Sequence, residues 1–444
     1  MLAVEGDGSY AVADRLAIAL EPGSLSKREE DYVTMRRLLL HRQAMNGKLS
    51  RQNWDCNGTG YVAYRKYICD VKPSVDHSEW APSEGRLSKD LSKVRSPASI
   101  SSRRSSSVQA DESEQPAYAF AGMKCLFDSC KASVNVVRFG NLSSDLLAFG
   151  AADGTLTVCS LEGSPRVLHL LRGHSKEITD FDWSLNNKYL CSSSLDKSVR
   201  IWDTSEGHCI RVIYDKVSQL CIRFHPVNNN YLVVGTGTGQ LKVINFSTGR
   251  HVSHLDLGRQ ITALDFDPSG RLLFAGDSTG CIYSIAVDSI TATLSYAHKN
   301  NMGLARKSTT TTVQFRIFSR LAGGPVLLAS NQDGSLRFFS VALQVNGYLT
   351  LRCSLHLPPL ARNTRASFCP LLSLEKGEFI VTGSEDKNVY FYDFTRPKHP
   401  CVNKLQGHGA PIVGVSWNYG ENLLASSDCE GLVIVWKRAK SVDG

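Results

Sequence analysis

A histidine, a serine and an aspartate fall within one short stretch, at His174, Ser192 and Asp196. They are the residue types of a base, a nucleophile and an orienting carboxylate, so hydrolysis is the chemistry they suggest. A repeat of their register argues against it. His174, Ser192, Asp196 and Trp202 stand at offsets 0, 18, 22 and 28, and His408, Ser426, Glu430 and Trp436 stand at the same four offsets. A nucleophile also belongs on a strand-to-helix elbow, and Ser192 precedes a strand-like run instead. A structural network accounts for the repetition. A buried indole N–H needs an acceptor, which a serine hydroxyl supplies. The serine bonds the histidine, and the turn carboxylate holds the other ring nitrogen, so that every buried polar group is satisfied.

Two other constellations look chemical and have plainer readings. Gly235-Thr-Gly-Thr-Gly239 has the glycines of a phosphate cradle but no Gly-Lys-Ser/Thr ending and no helix after it. It reads as a hairpin turn that uses glycine for positive φ. His251 and His254 have a metal-like spacing without cysteine or carboxylate ligands close by, and read as polar residues on an outer strand. No catalytic residue, cofactor or metal is therefore expected.

The elements that place these residues recur. Turns lie at Asp153-Gly154, Asp196-Lys197, Thr238-Gly239, Thr279-Gly280, Asp333-Gly334, Asp386-Lys387 and Glu430-Gly431, seven in all. Most intervals are 41 to 44 residues, and those on either side of Asp333 are 54 and 53. An apolar run precedes each turn and an alternating one follows it, as hairpins require. A period of about 40–45 residues with four strands per unit is the signature of a propeller. The predicted fold is all-β, seven-bladed, over residues 117–440. The last unit has three strands of its own, so the segment 118–122 is expected to supply its fourth and remove an open edge. At the position of Trp202 the other units carry Cys159, Ile244, Ile285, Phe339 and Tyr392. Apolar packing replaces the polar network there, although Thr382, Asp386 and Tyr392 keep part of it.

Residues 1–116 read as an arm. The capping box Ser26-Lys-Arg-Glu29, acidic residues after it and Gly47 at the far end predict a helix over about 27–46, with Tyr32, Met35 and Leu39 in one stripe. The stretch 86–116 is Ser-, Lys- and Arg-rich and predicts a disordered linker. Within it Ser96, before Pro97, and Ser106, three residues after Arg103, are candidate phosphorylation sites.

Composition sets outer limits. The chain has 444 residues, 42% hydrophobic, with a formal net charge of +8, which does not by itself demand nucleic acid. The 13 cysteines form no C-x-x-C pair, and several, such as Cys159, Cys191, Cys209 and Cys281, sit in apolar runs. They predict buried free thiols in a reducing compartment. The sequons at Asn141 and Asn245 would then go unused. The stretch 11–20 contains Asp14 and Arg15 and makes a poor signal-peptide core, and no run approaches the ~18 apolar residues of a membrane helix.

The units Gly173-His174 with Trp202-Asp203, and Gly407-His408 with Trp436, resemble the WD-repeat family. That resemblance implies a structural tetrad of His174, Ser192, Asp196 and Trp202, with Glu430 where the last unit would carry Asp. It also implies that an early strand closes the last blade. Residues just before the turn carboxylate, here Ala152, Leu195, Gln332, Glu385 and Cys429, are implied as partner contacts. Closer likeness within the family at 118–123, 225–230, 381–386, 403–408 and 423–428 implies a non-enzymatic protein of the nucleus and also the cytoplasm. Its expected function is a protein-interaction scaffold, with transcriptional or chromatin regulators as the implied partners. Nucleic-acid association through the basic arm and the long insertions 297–312 (His298, Lys299, Arg306, Lys307) and 358–365 (Arg362, Arg365) is the alternative. The aromatic–basic segment 61–67 is the one stretch suited to base stacking.

Overall fold

A computed structural model describes residues 119–439, apart from 144, 289, 302–306, 359–362 and 371–376. The arm's helix and linker, Ser96, Ser106, Tyr118, Arg306 and Arg362 lie outside the described residues.

The described chain forms seven antiparallel four-stranded sheets. In six of them four consecutive strands pair in order. The seventh joins Ile412–Trp417, Leu423–Asp428 and Val433–Arg438 to Phe120–Phe127, which pairs with the last strand from Phe120↔Arg438 to Phe127↔Val433. That strand extends well past residue 122, its pairing with Val433–Arg438 continuing through two register shifts to Phe127.

The first strands of the sheets are innermost: Val134–Phe139, Ile178–Trp183, Gln219–Phe224, Ile261–Phe266, Thr310–Ser319, Ala366–Phe368 and Ile412–Trp417. Each touches the next, and the seventh touches the first, so the sheets close a ring. Seven apolar clusters fill the seams. One packs Val137 and Phe149 of the first sheet on Ala425 and Val435 of the seventh, and another packs Trp183 and Trp202 on Ala148 and Val158. Burying these faces between sheets is the dominant stabilising term.

The seams are also stitched by polar bonds whose donors recur with the repeat. The second residue of an inner strand bonds the first carbonyl of the next sheet: Asn135 Nδ2 to Ile178 O (3.4 Å), Thr179 Oγ1 to Gln219 O (2.8 Å), Thr262 Oγ1 to Thr310 O (2.6 Å). Ser427 Oγ closes the ring on Val134 O at 3.1 Å. Near the other end of these strands, Asp182, Asp265 and Gln314 accept the backbone N–H of Phe224, Phe315 and Phe368, at 2.9, 2.7 and 2.7 Å. Ser416 does the same for Phe139 at 3.2 Å.

The long intervals beside Asp333 are only partly loops. The fifth sheet has long strands, Thr310–Ser319 and Tyr348–His356 among them, and residues 297–300 and 310–312 belong to strands. His298 thus sits on an outer strand, its Nε2 2.8 Å from Val345 O, and Lys299 lies over the Tyr283 ring.

Candidate functional site

The trio that suggested hydrolysis is enclosed. Trp202 Nε1 donates to Ser192 Oγ at 2.9 Å, Ser192 Oγ lies 2.8 Å from His174 Nε2, and His174 Nδ1 lies 2.8 Å from Asp196 Oδ2. Ser192 is wholly buried and His174 nearly so. Burial holds the His174 imidazole below its usual pKa, against the pull of Asp196. A neutral ring with its proton on Nδ1 then completes the chain from indole to serine to imidazole to carboxylate. Burial alone would raise Asp196, but hydrogen bonds from Ser198 and His174 outweigh it and bring the carboxyl to about 2. Ser192 has no face open to a substrate.

The last sheet repeats the network with one correction. Trp436 Nε1 donates to Ser426 Oγ at 2.8 Å and His408 Nε2 lies 2.7 Å from that oxygen, but the carboxylate on His408 Nδ1 is Asp428, at 2.9 Å. Glu430 is exposed and contributes only its backbone N–H, to Asp428 Oδ1. Asp428 ends its strand. One of its oxygens caps the N–H groups of Glu430 and Leu432 while the other reaches the imidazole. In the second sheet the strand-end residue is Ser194, which has no carboxylate, and Asp196 in the turn takes the task. Asp428-Cys-Glu-Gly431 shares its Asp-x-x-Gly spacing with Asp277-Ser-Thr-Gly280, and Asp277 likewise caps Thr279 and Cys281 while accepting from Tyr283 Oη. In the sixth sheet Tyr390, not Tyr392, reaches Asp386, and Thr382 Oγ1 bonds Gly383 O.

The remaining sequence candidates fall where elements place them. Gly239 turns between two strands at φ +96°, and an added Cβ would lie 2.4 Å from Arg259 N, so the glycine serves the turn. His251 and His254 are exposed on an outer strand whose pairing with its neighbour shifts register between them. Gly276-Asp-Ser-Thr-Gly280 spells the Gly-x-Ser-x-Gly pattern of a nucleophile elbow. It is a hairpin turn between Leu272–Asp277 and Ile282–Val287, not an elbow leading into a helix. The 11 described cysteines are free thiols; Cys159 and Cys191 are buried, whereas Cys209 and Cys281 are only partly so.

The five implied contact residues, Ala152, Leu195, Gln332, Glu385 and Cys429, are all half-buried. The N–H of Ala152, Leu195, Gln332 and Cys429 bonds the carbonyl just before its own inner strand, at Ser133, Glu177, Thr309 and Pro411. Gly237 and Ser278 make the same bond in the third and fourth sheets. These turns therefore share one end of the ring. Leu195 and Gln332 line a cavity of about 440 Å³ at the mouth of the central channel.

Sequence reasoning missed what floors that cavity. Asp180, 1% exposed at its side chain, meets three guanidiniums from three other sheets: Arg223 at 2.6 Å, Arg365 at 3.1 Å and Arg138 at 3.2 Å. Arg365, expected in a surface insertion, instead crosses the channel, and its Nη2 also donates to Thr179 O at 3.0 Å. Burial opposes charge on Asp180, but Arg223, Arg365 and Arg138 outweigh it and hold the carboxyl well below the usual range. Asp265 differs, because burial outweighs the pull of Arg223 and pushes its carboxyl up to about 6. A partial signal, for Arg138 and Arg223 alone, exists in the repeat. The residue before the last aromatic of the first four inner strands reads Arg138, Asp182, Arg223, Asp265, alternating in charge.

Comparison with known proteins agrees with this architecture. The WD domain, G-beta repeat family matches residues 165–203, 249–284 and 399–437. WD repeat-containing protein 44 of Xenopus laevis is 26% identical over 276 residues, 58% of this chain and 28% of its own length. Pre-mRNA-processing factor 17 of Homo sapiens is 26% identical over 32% of this chain and 26% of its own. E3 ubiquitin-protein ligase COP1 of Arabidopsis thaliana is 24% identical over 49% and 31%. The chain thus spans about a quarter to a third of the length of these curated relatives. Among solved structures, the β-propeller domain of Cps50 (Swd1) from Myceliophteria thermophila superposes with a TM-score of 0.57 at 22% identity, covering 71% of this chain and 98% of that one, which bears on the fold alone. The three matched repeats and the WD-repeat relatives support a WD-repeat family for this chain.

Proposed function

We propose that the chain is a non-enzymatic scaffold that holds regulatory protein partners, in the nucleus and also the cytoplasm, chiefly through the channel-mouth face of its propeller. The observation that carries this reading is the contrast between the two polar constellations. The His–Ser–Asp trio is sealed inside a sheet and tied to an indole, while the ring of turns around Leu195 and Gln332 opens on a cavity. A closed ring of sheets holds those turns rigid, so recognition there loses little to ordering. The pre-mRNA-processing relative supports a nuclear location, and the E3 ligase relative is matched over less than a third of its length. Candidate phosphorylation at Ser96 and Ser106 would add charge to the arm. Of the basic residues behind the nucleic-acid alternative, Arg365 lies inside the channel and not on an exposed loop.

Affinity capture with the full chain, with residues 117–444 and with a full-chain Leu195→Glu variant tests the reading. Partners retained by 117–444 and lost from the Leu195→Glu variant are expected. A partner set indifferent to Leu195, or one lost on treating the extract with nuclease, would contradict it.

A further inference from the structure

The cavity at the channel mouth has a charged floor and hydroxyl-rich walls. Arg365 lines it, with Asn135, Thr179, Thr262, Thr309 and Thr311 around it. A guanidinium carries five N–H donors. Two of those on Arg365 are used, by Asp180 Oδ1 at 3.1 Å and Thr179 O at 3.0 Å, which leaves three without an acceptor among the described residues. The side chain is 20% exposed and lines the cavity, so part of its remaining donor capacity is reachable from there. Partly desolvated donors of this kind favour a charge-assisted, two-point contact with a planar anion.

The surroundings carry the same sign. The loops that lead into the seven inner strands hold, among their described residues, seven cations and three anions, a balance of +4. Lys131, Lys176, Lys216, Arg259 and Lys307 are exposed there. Of the three anions, Asp215 is bound by Lys242 at 2.5 Å, and Glu177 lines the cavity wall as a carboxylate whose Oε1 accepts from Asn135 Nδ2 at 2.6 Å, so an entering acid must approach on the Arg365 side. A cationic side chain entering the mouth would meet Arg365 head-on. An acidic one is drawn in by the loops and finds donors at the bottom. The volume, about 440 Å³, is that of a small-ligand pocket and admits a side chain with waters.

We propose that the channel mouth is a socket for an acidic side chain of a partner protein, with Arg365 as its anchor. The proposal rests on the scaffold reading and narrows it to the chemistry of the partner, an acidic peptide segment.

The test uses the full chain and a fluorescein-labelled hexaglutamate peptide read by fluorescence anisotropy, with hexaglutamine and hexauridylate probes alongside. Arg365→Gln removes the anchor. Because Asp180 then loses one of its cations, Leu220→Trp serves as a second variant, filling the cavity from its wall while every residue of that cluster is kept. Unchanged unfolding midpoints certify the folds. Hexaglutamate binding to wild type, weakened at least tenfold in both variants and absent for hexaglutamine, is the expected result. Equal hexaglutamate affinity for wild type and Leu220→Trp would overturn the proposal by placing the contact elsewhere on this basic chain. Hexauridylate binding lost in Leu220→Trp, with no hexaglutamate binding, would overturn it in favour of nucleic acid. Protein capture by the Leu220→Trp variant at wild-type levels would leave the scaffold reading standing and remove only the socket.

Discussion

Replacing Trp202 by phenylalanine tests whether the buried tetrad acts as one unit. Trp202 is 2% exposed and its N–H is the donor to Ser192 Oγ at 2.9 Å. Ser192 has no contact with solvent, so no water replaces the lost donor. An unsatisfied buried acceptor costs about 1–3 kcal/mol. The smaller ring also gives up apolar contact worth roughly 1–2 kcal/mol, so the whole effect is about 2–4 kcal/mol. A double-mutant cycle with His174→Ala separates the two parts. The histidine bonds the same serine oxygen at 2.8 Å, so the two losses overlap and the cycle should show a coupling of at least about 1 kcal/mol. Phe339→Leu is the matched control. Phe339 pairs with Leu327 in the register in which Trp202 pairs with Leu190, yet has no polar atom to lose, and should show no coupling to His174. Urea unfolding followed by circular dichroism supplies the free energies. Additivity of Trp202→Phe and His174→Ala within about 0.5 kcal/mol would refute a coupled network.

Other residues make distinct predictions. In the last sheet, Asp428→Ala should cost about 1–3 kcal/mol, as it leaves His408 and two backbone N–H groups without their acceptor, while Glu430→Gln should stay within about 0.5 kcal/mol by the same unfolding measurement. Asp180→Ala leaves three guanidiniums facing one another and should lower stability by roughly 3–5 kcal/mol. Asp265 sets a pH window. Folded, it keeps its proton to about pH 6, whereas the unfolded chain releases it near the usual ~4, so its contribution to stability falls as pH rises from about 4 to about 6. Asp265→Asn can still accept the Phe315 N–H and no longer titrates, so its stability curve should be flatter than that of wild type across that window. Parallel curves would contradict the assignment. Asp196, brought down to about 2, works in the other sense, its contribution present above about 4 and lost as pH falls through about 2.

The fold was legible because the repeat leaves a mark at every turn. Each sheet needs a tight hairpin between its second and third strands, and each hairpin shows as a Gly, Asp or Lys pair at a near-constant period. The residue at the Trp202 position faces the equivalent partner in every sheet, from Cys159↔Leu147 to Tyr392↔Ile380, so register could be counted without an insertion. The tetrad was legible where indole and imidazole both survive. It misled at Glu430, because matching offsets cannot reveal that a strand-end aspartate two residues earlier has the shorter reach and the buried place. Of the channel cluster, only Arg138 and Arg223 left a mark in the repeat; Asp180 and Arg365 did not. Asp180 and Arg365 are 185 residues apart and meet only because the ring closes. Arg365 reads as a loop cation until its side chain is seen to meet Asp180 inside the channel. The Gly-x-Ser-x-Gly at 276–280 shows the opposite hazard, a short pattern whose meaning depends on the helix that does not follow it.

Closure of the ring is the claim on which the tetrads, the channel and its mouth all depend. Hydrogen–deuterium exchange of the strand Val433–Arg438 measures it directly, because Phe120–Phe127 covers its outer edge. In the full chain, peptides spanning 433–438 should exchange as slowly as those of an internal strand such as Ser198–Asp203. In a chain starting at residue 129 they should exchange quickly while Ser198–Asp203 stays protected. Fast exchange at 433–438 in the full chain, or no change on removing residues 1–128, would contradict a ring closed by that early strand.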